Sequence, residues 1–408
     1  SIAATVLTDI ADVTSGNVTS ASVTSITGAA VDVQEALDST NLVSLDAVDV
    51  TISDDGAVDA SVLVALAAAT TGVVTALDLV SVSGTISQFS TLFSNGGTEE
   101  SPVYRVVAGA ETIAIVTDTT LVGATAFTAL DGFDGPVDIS AATTLTGSAA
   151  LVEEVLVTAN AEAEGSVTYS GSVAVTIDDD TAAAVDATTL SAVGGATSGV
   201  VTVTNAIAIS GTAAEVTAAL VTADTLVVVS DATVVISDAG EVSASVLTAI
   251  AAATTGDVTS ASVTSITGTA EEVQAALDST NLVSLDAVDV TISDDGAVDA
   301  SVLTDLAAAT GGVVTALNLT SITGTVSEFD ALFGLEGAGV ITGDATATIA
   351  IITDTTLVGS AASTALDGFD GPIDISAATT LTGSAALVEA VLVTANAEAE
   401  GSVTYSGS

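Results

Sequence analysis

The sequence has no cysteine, histidine, tryptophan or methionine, and Arg105 is its only lysine or arginine. General acid–base catalysis uses histidine most often, covalent catalysis uses an activated Ser, Cys or Lys, and zinc sites use His, Cys and carboxylate ligands. Of these groups, only carboxylates and hydroxyls remain. A two-carboxylate glycosidase is the one ordinary enzyme class still open, although few aromatic residues are present to stack on sugars. We therefore predict a protein that is not an enzyme.

Positive charge is nearly absent, and the 52 Asp and Glu residues give a formal net charge of −51. Such a surface repels phosphate backbones and anionic lipids, so we expect no nucleic acid partner. Cations are the natural counterpart, because only salt or bound ions relieve the self-repulsion. A salty extracellular medium fits this composition better than cytosol, and the absence of disulfides is compatible with export.

Long apolar runs are also absent. The longest, "VLVALAAA" at 62–69, is far shorter than the roughly 20 residues of a membrane-spanning helix, so we expect no membrane insertion. Apolar residues nevertheless make up 49% of the chain, and the mean hydropathy is +0.73. A disordered chain has the opposite composition, so the sequence predicts a folded protein.

Internal repetition is the strongest feature that is present. The segments 36–63 and 276–303 are identical, which gives a long repeat with an offset of 276 − 36 = 240. Further along, Asp131 matches Asp367 and the offset falls to 367 − 131 = 236, because one variable insert differs in length. We predict one continuous solenoid over 1–408, with a first long repeat at 1–240 and an incomplete second copy at 241–408. Both ends of the sequence look cut from a longer chain.

Two short sequence motifs alternate inside the long repeat. One is an apolar residue, a Ser or Thr and a Gly, and the other is an apolar residue, a short polar residue and an Asp. The glycines are Gly28, Gly84, Gly147, Gly211, Gly268, Gly324 and Gly383, and the aspartates are Asp54, Asp118, Asp179, Asp238, Asp294 and Asp354. Two modules of about 30 residues therefore form each pair, which is the signature of a stacked repeat.

Each module combines a strand pattern with a helix pattern. Val48, Val50 and Ile52 alternate with polar residues, as on a half-buried strand. The stretch "DASVLVALAAAT" has an apolar stripe at helical spacing, and Thr269 with Glu272 forms a capping-box pattern at a helix start. Helices end at "TTG", "TGG" or "AEG", where glycine could adopt a left-handed cap.

The predicted fold is an α/β repeat solenoid with one short parallel strand and one short helix per coil of about 30 residues. A string of separate α/β domains is less favoured, because no Pro-rich or low-complexity linker marks a boundary. A pure β-solenoid conflicts with the Ala and Leu content of the helical stretches.

A recurring row of aspartates is the candidate site. Asp54 and Asp55 recur as Asp294 and Asp295, and carboxylates at one edge of successive coils could bind Ca²⁺. The favoured interpretation is structural, since Asp at a strand end often makes an Asx-turn or caps a helix. The sequence contains no EF-hand spacing and no nonapeptide of the calcium-binding β-rolls.

Three weaker candidates have ordinary explanations. The stretch "LDGFDGPVDIS" at 130–140 places Asp131, Asp134 and Asp138 together, and a Gly-Pro turn entering the next strand explains it. Arg105 lies in an insert beside acidic residues, where a loop ion pair is the common case. Rows of Thr and Ser suggest ice or glycan binding, but they do not keep one Thr-x-Thr register, and Thr suits any solvated strand.

The modules "TSITGTAEEVQAALDST" at 264–280 and "ISDDGAVDASVLTDLAAATGG" at 292–312 resemble repeats of giant, acidic, lysine-poor surface proteins of bacteria, notably marine cyanobacteria. The resemblance covers essentially the whole chain and is one of composition and rhythm. It implies a secreted or cell-surface structural protein, and it brings no catalytic residues.

We therefore expect a structural protein that forms an extracellular filament, sheath or surface coat by stacking of solenoid ends, with itself and cations as partners. Neither end carries a polar capping repeat, which favours continuation of the stack. The alternative is a spacer or stalk of a secreted calcium-dependent adhesin. A carboxylate-based polysaccharide enzyme is the third hypothesis, and the repetition of every acidic cluster argues against it.

Overall fold

The computed structural model describes residues 1–93, 106–130, 133–158, 166–333, 340–342, 348–358, 360–361, 369, 371–389 and 403–404. The chain divides into two compact units. Unit 1 comprises Ser1–Asp180, Thr189–Asn205 and Thr222–Val228, and unit 2 comprises Thr181–Thr188, Ala206–Val221 and Val229–Ser408. Both units consist of helices that alternate with parallel strands in repeated coils, which confirms the predicted α/β repeat solenoid.

The helices are short. From the first residue of one helix to the first residue of the next, the distance in sequence alternates between a smaller and a larger number of residues, as at Ala4, Ala30, Ala60 and Ile86 (30 − 4 = 26, 60 − 30 = 30, 86 − 60 = 26). The odd helices are α1 (Ala4–Asp12), α3 (Ala60–Ala69), α5 (Gly123–Leu130), α7 (Ala187–Ala196), α9 (Ala244–Ala253) and α11 (Ala300–Ala309). The even helices are α2 (Ala30–Asp38), α4 (Ile86–Phe93), α6 (Ala149–Glu153), α8 (Ala213–Leu220), α10 (Ala270–Leu277) and α12 (Val326–Phe333). A π-helical turn (Glu154–Thr158) continues α6, a 3-10 turn (Ala223–Thr225) follows α8, and α13 (Ala385–Glu389) repeats the sequence of α6.

The strands of unit 1 form parallel sheets. The first sheet joins β1 (Ile2–Ala3), β3 (Ser25–Gly28), β5 (Asp49–Ile52), β7 (Val74–Ala76) and β9 (Val106–Ala108). The second joins β6 (Ala57–Asp59), β8 (Ser81–Gly84), β10 (Ile113–Val116), β12 (Val137–Asp138) and β14 (Val167–Thr168). The third joins β11 (Thr120–Val122), β13 (Thr144–Gly147), β15 (Ala174–Ile177), β17 (Val201–Val203) and β19 (Val227–Val228), and β2 (Val18–Thr19) pairs with β4 (Leu42–Val43).

Unit 2 follows the same plan. Its first sheet joins β16 (Ala184–Asp186), β18 (Ala208–Gly211), β20 (Thr233–Ile236), β22 (Val258–Thr259) and β24 (Leu282–Val283). Its second sheet joins β21 (Glu241–Ser243), β23 (Ser265–Gly268), β25 (Asp289–Ile292), β27 (Val314–Ala316) and β29 (Val340–Thr342). The last two are β26 (Ala297–Asp299), β28 (Ser321–Gly324), β30 (Ile349–Ile352), β32 (Ile373–Asp374), β34 (Val403–Thr404); and the pair β31 (Thr356–Val358) with β33 (Thr380–Thr382).

The sequence offset between paired strands varies, from 24 residues in many pairs to 113 − 81 = 32 residues between Ser81 and Ile113, around the predicted coil length of about 30. Ile26 pairs with Val50 and Val50 with Val74, so the offset is 50 − 26 = 24 and again 74 − 50 = 24. Each five-stranded sheet begins with strands that precede helices, such as β1 and β3, and ends with strands that follow helices, such as β7 and β9. The strands that follow helices were not predicted, because two or three residues are too few to show a period of two.

The core lies between the strands and the helices and consists of small and β-branched residues. Ile26, Val50 and Val74 stack in register and are 0% exposed. β-Branched side chains suit such a pleated, stacked surface. Where the coil is longest, Phe89, Phe93 and Phe133 fill the extra space, with ring centroids 6.0 and 5.1 Å apart.

Two sets of glycines, those of the apolar-Ser/Thr-Gly motif and those at the helix ends, allow close contact between coils. A Cβ on Gly84 would lie 2.5 Å from the Cβ of Ala60 at the start of the preceding odd helix. A Cβ on Gly72 or Gly312, in the "TTG" and "TGG" stretches, would lie 2.2 Å from the carbonyl oxygen of Val48 or Val288. The left-handed cap predicted there is wrong, because these glycines have no left-handed φ. They are needed because the neighbouring backbone leaves no room for a side chain. The "AEG" stretches lie outside the described residues.

Candidate functional site

The recurring aspartates lie two residues beyond a strand end and bond to the coil before them. Asp294, which follows β25, accepts a hydrogen bond at Oδ2 from the backbone N–H of Ala270, the first residue of α10, at 2.7 Å. The same bond recurs for each aspartate of the row, from Asp54 to Ala30 (2.7 Å), Asp118 to Ile86 (2.7 Å), Asp179 to Ala149 (2.7 Å), Asp238 to Ala213 (2.6 Å) and Asp354 to Val326 (2.7 Å). Every even helix is thus capped by a carboxylate from the next coil, and we call this contact the aspartate joint.

The parallel register places the carboxylate at the helix start. Gly268 pairs with Ile292 at the ends of β23 and β25, and Ser293 N–H donates to the Gly268 carbonyl oxygen at 2.8 Å. The chain beyond β25 therefore runs beside the residues that open α10. The first N–H groups of a helix have no partner inside the helix, and the helix dipole favours a negative charge there. A carboxylate two residues beyond the strand meets both needs.

The predicted capping box at α10 is confirmed and completes the same site. Thr269 N–H donates to Glu272 Oε2 at 2.9 Å, and Glu272 N–H donates to Thr269 Oγ1 at 3.3 Å. With Asp294 on the Ala270 N–H, three side chains satisfy three backbone donors at this helix start. At α8 the equivalent box lowers the pKa of Glu215 through hydrogen bonds from the Thr212 backbone and hydroxyl.

The four aspartates proposed as calcium ligands have two different environments. Asp54 and Asp294 are half-buried and cap helices, whereas Asp55 and Asp295 are exposed. The favoured cap interpretation agrees with the geometry, except that the capped helix lies in the preceding coil and not next in sequence. Across the described ranges, no group of three or more acidic side chains is placed to hold a metal ion. An open groove of about 560 Å³ beside Asp294 is lined by Glu271, Asp278 and Asp299, among others.

Two of the odd helices, α3 and α11, carry a local aspartate cap instead. Asp59 Oδ1 accepts hydrogen bonds from the Ser61 backbone N–H at 2.8 Å and from the Ser61 hydroxyl at 2.5 Å. Both bonds lower the pKa of Asp59 from its ordinary value of 3.8, and the bond from the Ser61 hydroxyl has the larger effect. Asp299 and Ser301 repeat the contact at 2.9 and 2.7 Å.

Buried threonines form a second joint that the sequence analysis missed. Thr254 Oγ1 donates to the Ala232 carbonyl oxygen of the preceding coil at 2.6 Å and accepts from the Gly256 N–H at 3.1 Å. Thr70, Thr197 and Thr310 make the same pair of bonds in other coils. The recurring Thr-x-Gly at the helix ends was the available signal, and only the glycine in it was interpreted.

Asparagine supplies a third contact between coils. Asn281 Nδ2 donates to the carbonyl oxygens of Ala251 and Thr254 near the end of α9, at 2.9 and 3.0 Å. In the first long repeat Asn41 bonds to Ala11 and Thr14 in the same way. These carbonyls at a helix end have no partner inside the helix, so the amide satisfies them from the next coil.

The weaker candidates have these positions. Pro136 directly precedes β12, as the turn interpretation predicts, and Asp138 accepts from the Ser140 N–H at 2.8 Å. Asp134 is exposed, and Asp131 and Arg105 lie outside the described residues. Some threonines do stack in register, in rows of three such as Thr27, Thr51 and Thr75, Thr146, Thr176 and Thr202, and Thr267, Thr291 and Thr315.

Comparison with protein-family models gives no match, and comparison with curated proteins gives none either. Among solved structures, the chain is similar to one in a crystal structure of the Rad7 and Elc1 complex in yeast. That match has 10% identity and a TM-score of 0.18, and covers 100% of this chain and 84% of the other. Within the described part of the chain, no helix is long and apolar enough to cross a bilayer.

Proposed function

We propose that this chain is a non-catalytic structural protein whose coils stack to form an extracellular filament, sheath or surface coat. The observation that carries this proposal is that the repeated residues are used in contacts between coils. The identical segments 36–63 and 276–303 each contain a joint aspartate, an asparagine that bonds to the preceding coil and a local helix cap. Repetition is needed where the same contact is made at every coil.

The contacts suit a stack that resists pulling, because several kinds act in parallel where the coil of an odd helix follows the coil of an even helix. Strand hydrogen bonds, an aspartate joint and a buried threonine bond connect successive coils. Pulling two coils apart would break the strand ladder and uncover the apolar core together. In repeat proteins each coil depends on its neighbours in this way.

The composition supports an extracellular location and cations as partners. A net charge of −51 produces strong self-repulsion at low ionic strength, since the Debye length is about 30 Å at 0.01 M and about 3 Å at 1 M salt. Stacking of copies would therefore require high salt or divalent cations such as Ca²⁺. The same charge disfavours binding to nucleic acid.

Electron microscopy of the purified chain in high salt, with calcium or with a chelator, tests the proposal. We expect ordered filaments with an axial strand spacing of about 4.8 Å. Filaments that disappear in chelator would identify calcium as the bridging cation. Isolated short rods in all conditions would contradict the proposal and favour the spacer of a secreted adhesin.

A further inference from the structure

One sheet of unit 1 has an outer side without charge. The strands β11, β13, β15, β17 and β19 contain no Asp, Glu, Lys or Arg. Their inner residues, such as Leu145, Val175 and Val201, are 1% exposed and belong to the core. The outer row, one residue further along each strand and in register, is Val122, Thr146, Thr176, Thr202 and Val228. We call the outer side of this sheet, with this row, the neutral face.

The other five-stranded sheets of the described residues all carry exposed acidic residues within their strands. One example from each is Asp49, Asp59, Asp186, Glu241 and Asp299. On the neutral face such groups lie only beyond the strands, as at Asp178 and Asp224, which are exposed. An uncharged centre inside a charged rim is typical of an interface. In a chain of net charge −51, it is also where a second acidic molecule meets the least repulsion.

Large apolar side chains are exposed at both margins of the neutral face. Val122 on β11 is 51% exposed, and Val228 on β19 is 46% exposed. Val200 and Leu226 lie two residues before members of the outer row and so on the same side of the sheet. They are 64% and 43% exposed. Grouped apolar side chains inside a polar rim mark a surface that binds another molecule.

The order of the outer row indicates which molecule that is. From β11 to β19 the row reads Val-Thr-Thr-Thr-Val, the same in both directions. A two-fold axis along β15 would place Val122 of one copy opposite Val228 of the other, and Thr176 opposite Thr176. Self-complementarity of this kind is what a two-fold contact between identical chains requires. Identical sheets also share one strand spacing, so their side chains can interdigitate over all five strands.

We infer that two copies of this chain bind face to face through their neutral faces, with Thr176 on the two-fold axis. This inference deepens the proposed function, on which it rests, because it identifies the surface through which chains lie side by side in a sheath or coat. Five strands at about 4.8 Å and three residues at about 3.3 Å give a footprint of about 24 by 10 Å. A stable interface buries about 800 Å² per partner, so one contact is weak.

Repetition compensates for this weakness. Thr120–Val122 recurs in unit 2 as Thr356–Val358 (356 − 120 = 236), and β31 pairs with β33 as β11 pairs with β13. Val358 is 52% exposed, much like Val122. Two chains that carry the face at the same interval can make several weak contacts together, and the total affinity then exceeds that of each one.

Thiol crosslinking tests the register directly, because the chain has no cysteine of its own. In high salt, which screens the acidic rim, a short bismaleimide should join Thr176→Cys into a dimer. Val122→Cys should remain monomeric, because the two-fold axis separates its two copies by about four strand spacings, roughly 19 Å. A mixture of Val122→Cys and Val228→Cys should crosslink. Equal crosslinking of Thr176→Cys and Val122→Cys, each alone, would overturn the two-fold contact.

Sedimentation equilibrium of full-length variants in high salt measures the strength of the contact. Val200→Glu should weaken association by at least about tenfold, because an unpaired charge would be buried between the two faces. Val235→Glu is the matched control, since Val235 is 48% exposed on a strand of another sheet and the charge change is the same. Circular dichroism checks that both variants fold. Equal association of the two variants would overturn the inference.

Electron microscopy of the same samples separates this inference from the proposed function. Single filaments, together with equal association of the two glutamate variants, would overturn the face-to-face contact and leave the proposed function standing. Thr176→Cys dimers without filaments would support the contact and contradict the proposed function. A wild-type chain that stays monomeric but binds an insoluble neutral polysaccharide, and loses that binding in Val200→Glu, would assign the neutral face to another partner and overturn the inference.

Discussion

Removing one aspartate joint should loosen one helix start, and adjacent aspartates provide a matched pair for the test. Asp294 accepts the N–H of Ala270 at 2.7 Å, while Asp295, its neighbour in sequence, is exposed. Asp294→Ala and Asp295→Ala remove the same charge. Only Asp294→Ala removes a bond between coils.

The size of the effect follows from the environment of the bond. Loss of a helix cap costs about 0.5–2 kcal/mol, and loss of a hydrogen bond to a charged group about 1.5–3 kcal/mol. Asp294 is half-buried, and the capping box of Thr269 and Glu272 remains in the variant. We therefore expect Asp294→Ala to lower the free energy of local opening of α10 by about 1–2 kcal/mol, which corresponds to a factor of roughly 5–30 in the opening equilibrium.

Native-state hydrogen exchange measured by mass spectrometry is the suitable assay, because a repeat protein opens locally and its global unfolding is not a single two-state step. Amides in Ala270–Leu277 should exchange roughly 5–30 times faster in Asp294→Ala and at the wild-type rate in Asp295→Ala. Asp294→Asn keeps an oxygen acceptor and should restore most of the protection, since Asn caps helices about as well as Asp.

Equal exchange in the two alanine variants would refute the joint. The measurement should be made in calcium and in chelator. If the aspartate joint is correct, the difference in exchange rate between the two alanine variants is the same in calcium and in chelator. If Asp294→Ala and Asp295→Ala are both harmful, and only in calcium, the two aspartates are metal ligands, as the calcium hypothesis states.

Three further predictions follow from the other contacts. Gly312→Ala should destabilise the protein by at least about 1–3 kcal/mol by overpacking, because its Cβ would lie 2.2 Å from a carbonyl oxygen. Gly296→Ala is the control, since a Cβ there meets no atom within 4 Å, and it should be neutral or slightly stabilising. Equal melting temperatures of the two variants in thermal unfolding would contradict this. Thr254→Val should destabilise its coil by about 1–3 kcal/mol, because it leaves the buried Ala232 carbonyl and the part-buried Gly256 N–H without this partner. Native-state hydrogen exchange of the amides in Ala244–Ala253 measures the loss, and unchanged exchange would show that the bond contributes nothing. By NMR titration, Asp59 should have a pKa below 3.8, and Ser61→Ala should raise that pKa. The stability that this cap gives to α3 is therefore present above the unfolded-state pKa and is lost as pH falls through the folded-state pKa. An unchanged titration midpoint of Asp59 in Ser61→Ala would refute the Ser61 hydroxyl as the main cause of the shift.

The sequence by itself determined the helices, the strands that end at the two recurring motifs, and their repetition. Alternation at Val48, Val50 and Ile52 predicts β5, an apolar stripe at helical spacing predicts α3, and Thr269 with Glu272 marks the start of α10. These signals are local, because side-chain direction alternates from one residue to the next in a strand and returns after each turn of a helix. Stacking then follows, since such a module cannot bury its apolar face alone.

Only the tertiary structure decided which residues meet across coils. The offset between paired strands, the partner of Asp294 on α10, and the backbone that Gly312 must admit all depend on register between distant segments. An aspartate after a strand looks the same in sequence whether it caps the next helix, the previous one or none. Helix propensity and strand alternation carry no information about that choice, because it is made by the packing of one coil on another.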